Sequence, residues 1–155
     1  LPDLDRPLNR RGRLNAPEMG RRLQEQPVSL KRVFSSPAVR AMETAEWLMP
    51  SLGLSDAKLE VVTPLYTFNY EDILAWLRSL DRDADRFALI CHNPAITDMV
   101  NFLTLMQIDK IPTCGIALMQ VDVNHWQDLG AGMAELSYFG FPKSVSGKAI
   151  SLGPG

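Results

Sequence analysis

From Val33 to Met106 the chain alternates short apolar runs with stretches whose apolar residues recur every three or four positions, and two of the runs stop at polar turn motifs. Val33-Phe34 ends at Ser35-Ser36-Pro37, after which Ala38, Ala41, Met42, Ala45 and Leu48 keep a helical period. Leu59 to Val62 reads as a second strand, Tyr70 to Leu80 as a helix, Phe87 to Ile90 as a buried strand and Ile96 to Met106 as a helix. Upstream, Asn15 to Gln26 reads as a helix capped by Asn15, with Pro17 and Glu18 in its first turn. Downstream, Gly115 to Val123 and Met133 to Phe139 alternate as strands, joined as a hairpin through the loop that carries His125. Such alternation predicts an α/β fold, a three-layer sandwich with a mostly parallel central sheet and helices on both faces. Ligands of such sheets bind beyond the carboxyl ends of the strands, where Ser35-Ser36-Pro37 and Cys91-His92-Asn93-Pro94 lie.

At 155 residues, 46% hydrophobic and 22% charged, the chain has the size of one domain, with no repeat or linker to divide it and a Ser/Gly-rich tail over 144–155. A net charge of −2 argues against DNA or RNA as partner. No apolar run reaches the roughly 20 residues that span a bilayer. Cys91 and Cys114, with neither CxxC spacing nor a framework of pairs, suit a reducing cytoplasm.

Several residues can carry chemistry. Arg40 falls about one turn into the helix that follows Ser35-Ser36-Pro37, where its guanidinium can donate two parallel hydrogen bonds to a phosphate; the alternative is an exposed helix arginine. His92, between a strand and a helix, can donate to a phosphoryl oxygen and, protonated, neutralise developing charge; the alternative is a structural hydrogen bond. A Cys91 thiolate assisted by His92 could attack phosphorus, but Asn93-Pro94-Ala95 offers no phosphate loop rich in glycine and arginine, so Cys91 reads as a buried strand-end residue. Glu71 is the nearest candidate acid, with Asp72 beside it, although both equally suit the acidic first turn of a helix. His125 has no arginine beside it and reads as a surface-loop residue.

Taken together, Ser-Ser-Pro-Ala-x-Arg-Ala-x-x-Thr-Ala at 35–45 and His-Asn-Pro at 92–94 resemble the histidine phosphatase superfamily. Asp5-Arg6-Pro7-Leu8-Asn9-Arg10-Arg11-Gly12 and Ile111-Pro112-Thr113-Cys114-Gly115 further resemble segments of its small phosphohistidine phosphatases, the SixA-like branch. The resemblance runs from Asp5 to Lys143 and implies a phosphoglycerate-mutase-like fold, no metal and no cofactor. It implies that Arg40 is the second phosphate-binding arginine, His92 the second active-site histidine, and Arg6 a further arginine facing the phosphoryl group. The family's nucleophile is a histidine in an Arg-His-Gly or Arg-His-Ala motif at the end of a first strand, shortly before the segment matching 5–12. Leu1 to Leu4 do not supply it, so the expected domain over 1–155 is N-terminally incomplete, with the missing strand near the middle of the sheet. Ala149 to Leu152 is a short, weak filler for that place. Cys91 and Asn9 stand where the family usually has glycine and threonine.

The resemblance therefore implies a metal-independent phosphatase that works through a phosphohistidine intermediate, acting on a protein phosphohistidine or a small phosphorylated molecule. With no strong acid visible, a good leaving group is expected, and imidazole, with a pKa of roughly 6.5, is one. The alternative is a module that binds phosphate or a phosphoprotein without turnover.

Overall fold

In the computed structural model, residues 1–142 are described; the proposed filler strand at Ala149–Leu152 lies outside them. The described residues form two compact units, Leu1–Tyr66 with Asp85–Cys91, and Thr67–Ala84 with 92–142.

The first unit is built on a parallel sheet of three strands, β1 (Arg32–Ser35), β2 (Leu59–Val61) and β3 (Phe87–Ile90), in the order β2-β1-β3. Register aligns Ser35 with Val61 on one side and with Ile90 on the other, so all three carboxyl ends stop level. The ladder continues one step beyond β1, where Ser36 N donates to Ile90 O and Val62 N to Ser35 O. Helix α1 (Arg10–Gln24) buries Gly12, Ala16, Met19 and Leu23, the stripe that a 3.6-residue period selects. Helix α2 (Val39–Leu48) buries Ala41, Ala45 and Leu48, and packs on both α1 and the sheet. The core under α2 is Val33, Ala45 and Met49, ringed by Leu54, Leu59, Ala88 and Ile90.

Two expectations are corrected here. Helix α1 begins five residues before Asn15, because Asn9 is its cap: the Asn9 side chain accepts from Gly12 N at 2.8 Å. Pro17 therefore lies inside the helix rather than in its first turn. Strand β3 stands where its apolar run predicted, but all four residues are only half-buried. It is an edge strand, paired among the described residues with β1 alone.

The second unit holds α3 (Tyr70–Arg78), α4 (Ala95–Thr104) and the strands β4 (Ile116–Val121) and β5 (Ala134–Gly140), which pair antiparallel as a hairpin. Asn69 caps α3 by accepting from Glu71 N, and α3 packs on α4 through Tyr70 and Phe102, ring centroids 5.3 Å apart. Arg78 Nε donates to Leu129 O at 2.8 Å and Trp126 Nε1 to Ala84 O at 2.9 Å, tying the hairpin loop to both ends of the α3 segment. No helix among the described residues is long and apolar enough to cross a membrane.

Candidate functional site

The turn between β1 and α2 is closed by its own hydroxyls. Ser35 and Ser36 are fully buried, with Ser35 Oγ donating to Ser36 O and Ser36 Oγ accepting from Ala38 N at 3.1 Å. Two short polar residues thus do locally what water would otherwise do for a turn without solvent. The turn delivers Arg40 as the second residue of α2.

Arg40 meets the segment that precedes α1. Its Nη1 donates to the backbone oxygen of Asp3 at 2.8 Å and its Nη2 to Asp3 Oδ2 at 3.1 Å. Arg6 Nη2 donates to the other carboxylate oxygen, Oδ1, at 3.0 Å. Tyr66, just after β2, completes the group by donating its hydroxyl to Asp3 Oδ2 at 2.7 Å. The Tyr66 hydroxyl first, and then the Arg6 guanidinium, hold the Asp3 carboxyl down at about 2, while the same hydrogen bond pushes the Tyr66 hydroxyl above its usual range. Both predicted arginines of this unit therefore close on one carboxylate. The segment is held from behind as well: Leu8 N donates to Glu43 Oε1 of α2 at 3.0 Å, and buried Leu8 lies so close to Gly12 that a Cβ there would collide with its side chain.

In the second unit His92 is buried, and its backbone oxygen accepts from Ile96 N as α4 begins. The turn around it is fastened by a side-chain relay. Asn93 Nδ2 donates to Ile111 O at 2.8 Å, Thr97 Oγ1 donates to Asn93 Oδ1 at 2.6 Å, and Thr97 Oγ1 accepts from Ile111 N at 3.0 Å. This relay joins the two motifs His92-Asn93-Pro94 and Ile111-Pro112-Thr113-Cys114-Gly115. The latter closes as a turn, with Gly115 N on Pro112 O, and a Cβ at Gly115 would lie 2.7 Å from that oxygen.

The remaining candidates fall as follows. Glu71 and Asp72 are exposed in the first turn of α3, where Asp72 accepts from Thr67 Oγ1 at 2.6 Å. Cys91 is half-buried rather than buried, and His125 is exposed in the loop between β4 and β5. Among the described residues no group of three His, Cys, Asp or Glu side chains is placed to hold a metal ion. Sequence reasoning missed Asp3 and Tyr66. The first had a faint local signal, a carboxylate three residues before an arginine. The second had none, because 63 residues separate it from its partner.

Level parallel strand ends, a turn that opens a helix, and two arginines closed on a carboxylate first define a class, an α/β protein with an Arg6–Asp3–Arg40 charge cluster in the unit that holds its parallel sheet. Residues 2–72 match the model of the histidine phosphatase superfamily, branch 1. The structure of the protein histidine phosphatase SixA complexed with tungstate is 25% identical, with a TM-score of 0.74 over 90% of this chain and 86% of that one. A structure described as a SixA phosphohistidine phosphatase of Nakamurella multipartitia is 23% identical, with a TM-score of 0.77 over 93% and 89%. A phosphoglycerate mutase of Plasmodium falciparum shares the fold at 18% identity, with a TM-score of 0.63 over 92% and 91%. An uncharacterised protein of Mycobacterium leprae is 27% identical over 152 residues, 92% of this chain and 91% of its own. The match to the histidine phosphatase superfamily thus covers residues 2–72, and along nine-tenths of its length the chain has the phosphoglycerate-mutase-like fold of the SixA proteins. The expected α/β class and the resemblance to the SixA-like branch both hold.

Proposed function

We propose that the protein is a metal-independent phosphatase that transfers a phosphoryl group to a histidine and then to water. Arg6 and Arg40 hold the equatorial oxygens and His92 donates to them. The nucleophile is a histidine of the kind the family carries in its Arg-His-Gly or Arg-His-Ala motif at the end of a strand. Its imidazole nitrogen attacks phosphorus in line, the leaving group departs with the bonding pair, and water hydrolyses the phosphohistidine. Such a site works by positioning and by electrostatic stabilisation, for which planar guanidiniums serve better than lysines. The observation that carries this reading is the convergence of Arg6 and Arg40 on the two oxygens of one carboxylate, an anion with the bite of a phosphoryl edge.

The substrate we favour is phosphohistidine on a protein, with a small phosphoester as the alternative. Of the structurally similar proteins, one is described as a phosphohistidine phosphatase SixA and another as the protein histidine phosphatase SixA. Glu71, the weak candidate acid, is exposed in the first turn of α3, which suits a reaction whose imidazole leaving group needs little protonation help.

The test is hydrolysis of a phosphohistidine peptide and of an aryl phosphate by the full protein, with and without a chelator, beside Arg40→Ala. Chelator-insensitive turnover is expected, with kcat/KM reduced about 100-fold or more in the variant. No turnover, with phosphate binding retained and dependent on Arg40, would replace the phosphatase with a phosphate- or phosphoprotein-binding module.

A further inference from the structure

Asp3 accepts more than a surface aspartate ordinarily does. Its carboxylate takes one hydrogen bond from each of Arg6, Arg40 and Tyr66, and its backbone oxygen takes another from Arg40. Four donors from three side chains meet on one residue, although the carboxylate side chain is 44% exposed and that of Arg6 59%. An isolated ion pair at such exposure contributes little, because two long side chains lose freedom to form it. The arrangement matters instead for what it does to the arginines. Two like charges brought to one place repel, and an arginine at the exposure of Arg6 samples many rotamers unless something holds it. The Asp3 carboxylate offsets that repulsion and fixes both guanidiniums, leaving the three charged groups with one net positive charge to face an anion.

We propose that Asp3 is a positioning residue for phosphoryl binding, keeping Arg6 and Arg40 converged, and that Tyr66 acts through Asp3 by fixing the orientation of its carboxylate. The proposal rests on the reading of Arg6 and Arg40 as phosphoryl ligands. Holding the carboxylate and gripping a phosphoryl oxygen are compatible, because a guanidinium has five N–H donors and the Arg6 side chain donates to Asp3 through a single nitrogen, Nη2. The Arg40 bond to the backbone oxygen of Asp3 survives any substitution of the side chain, so Asp3→Asn removes the charge while keeping the segment anchored.

The experiment is calorimetric titration with inorganic phosphate of the full protein and of Arg40→Ala, Asp3→Asn, Asp3→Glu, Tyr66→Phe and the Asp3→Asn/Tyr66→Phe double variant, with the thermal midpoint of each recorded. Arg40→Ala is expected to abolish binding. Asp3→Asn weakens it about tenfold, Asp3→Glu recovers part of the loss, and Tyr66→Phe weakens it about threefold. The double variant binds no worse than Asp3→Asn alone, because Tyr66 acts only through the carboxylate; a merely structural role would lower the midpoints additively without this coupling in affinity. Phosphate binding indifferent to Arg40, or absent, overturns the reading of the site and the proposal with it. Binding that needs Arg40 but is unchanged in Asp3→Asn and Tyr66→Phe overturns the proposal alone. So does tighter binding by Asp3→Asn, which would make Asp3 a competitor for the arginines. If Asp3→Asn does not fold, Tyr66→Phe, which keeps every charge, decides on its own: unchanged affinity sinks the proposal.

Discussion

Asp3 is the residue at which the chemistry of the first unit can be followed by titration. Its carboxyl sits near 2 because the Tyr66 hydroxyl, Arg6 and Arg40 all favour the charged form, against roughly 3.9 in an unfolded chain. The folded value being the lower one, the stabilising contribution of Asp3 is fully present above about pH 4 and is lost as pH falls through about 2. Tyr66→Phe removes the largest of the three causes, so the Asp3 carboxyl carbon, followed by NMR, is expected to titrate at higher pH in that variant. An unchanged midpoint would mean that the arginines alone hold the charge. At this scale the sequence was informative about Arg6, Arg40 and His92, whose residue types and neighbours already advertise anion chemistry. It was uninformative about Asp3 and Tyr66, because a carboxylate and a tyrosine have many ordinary uses and only folding brings these two within 2.7 Å.

Among the elements, those with a strong internal period were legible to within a residue or two: α2, α3, α4 and all five strands fall where their apolar spacing put them. The start of α1 was not, because Pro17 and Glu18 just after Asn15 made that residue the natural cap and the later start the natural one. Structure favours Asn9, since Gly12 N lies 2.8 Å from its side chain and the buried stripe begins at Gly12 itself. The turn that carries His92 depends on an element-scale device that spacing alone does not reveal, the relay Asn93–Thr97–Ile111. Thr97 is 3% exposed, and its hydroxyl both donates to Asn93 and accepts from Ile111 N. Thr97→Val keeps the shape of the side chain but leaves the Ile111 N–H and one Asn93 oxygen without these partners. Denaturant unfolding is expected to show a loss of about 1–3 kcal/mol, the cost of buried groups left unsatisfied. A change within about 0.5 kcal/mol, the range of ordinary surface substitutions, would show that the relay does not hold the turn.

For the whole molecule, sequence pattern announced parallel pairing but not where the sheet would end, since a four-residue apolar run does not say how many neighbours it has. Strand β1 is paired on both sides, and β2 is an outer strand among the described residues, with Glu60 and Val61 exposed. Strand β3 is different: Phe87, Ala88, Leu89 and Ile90 are apolar without interruption, the composition of a strand covered on both faces and flanked on both sides, yet among the described residues its one strand neighbour is β1 and it stays half-buried throughout. A nucleophile-bearing strand near the middle of the sheet, as the proposed mechanism requires, therefore has a preferred place against β3 rather than β2. Hydrogen exchange can test this. In the chain Leu1–Gly155, the β3 amides directed away from β1 are expected to exchange on the order of tenfold faster than those of β1, the equivalent of one net hydrogen bond of about 1.4 kcal/mol. In a longer protein that carries the Arg-His strand, the same β3 amides should slow to the level of β1 while the outer amides of β2 remain fast. Slowing at β2 instead would put the nucleophile on the far side of β1 from the strand that leads into His92, a placement the proposed chemistry could not use.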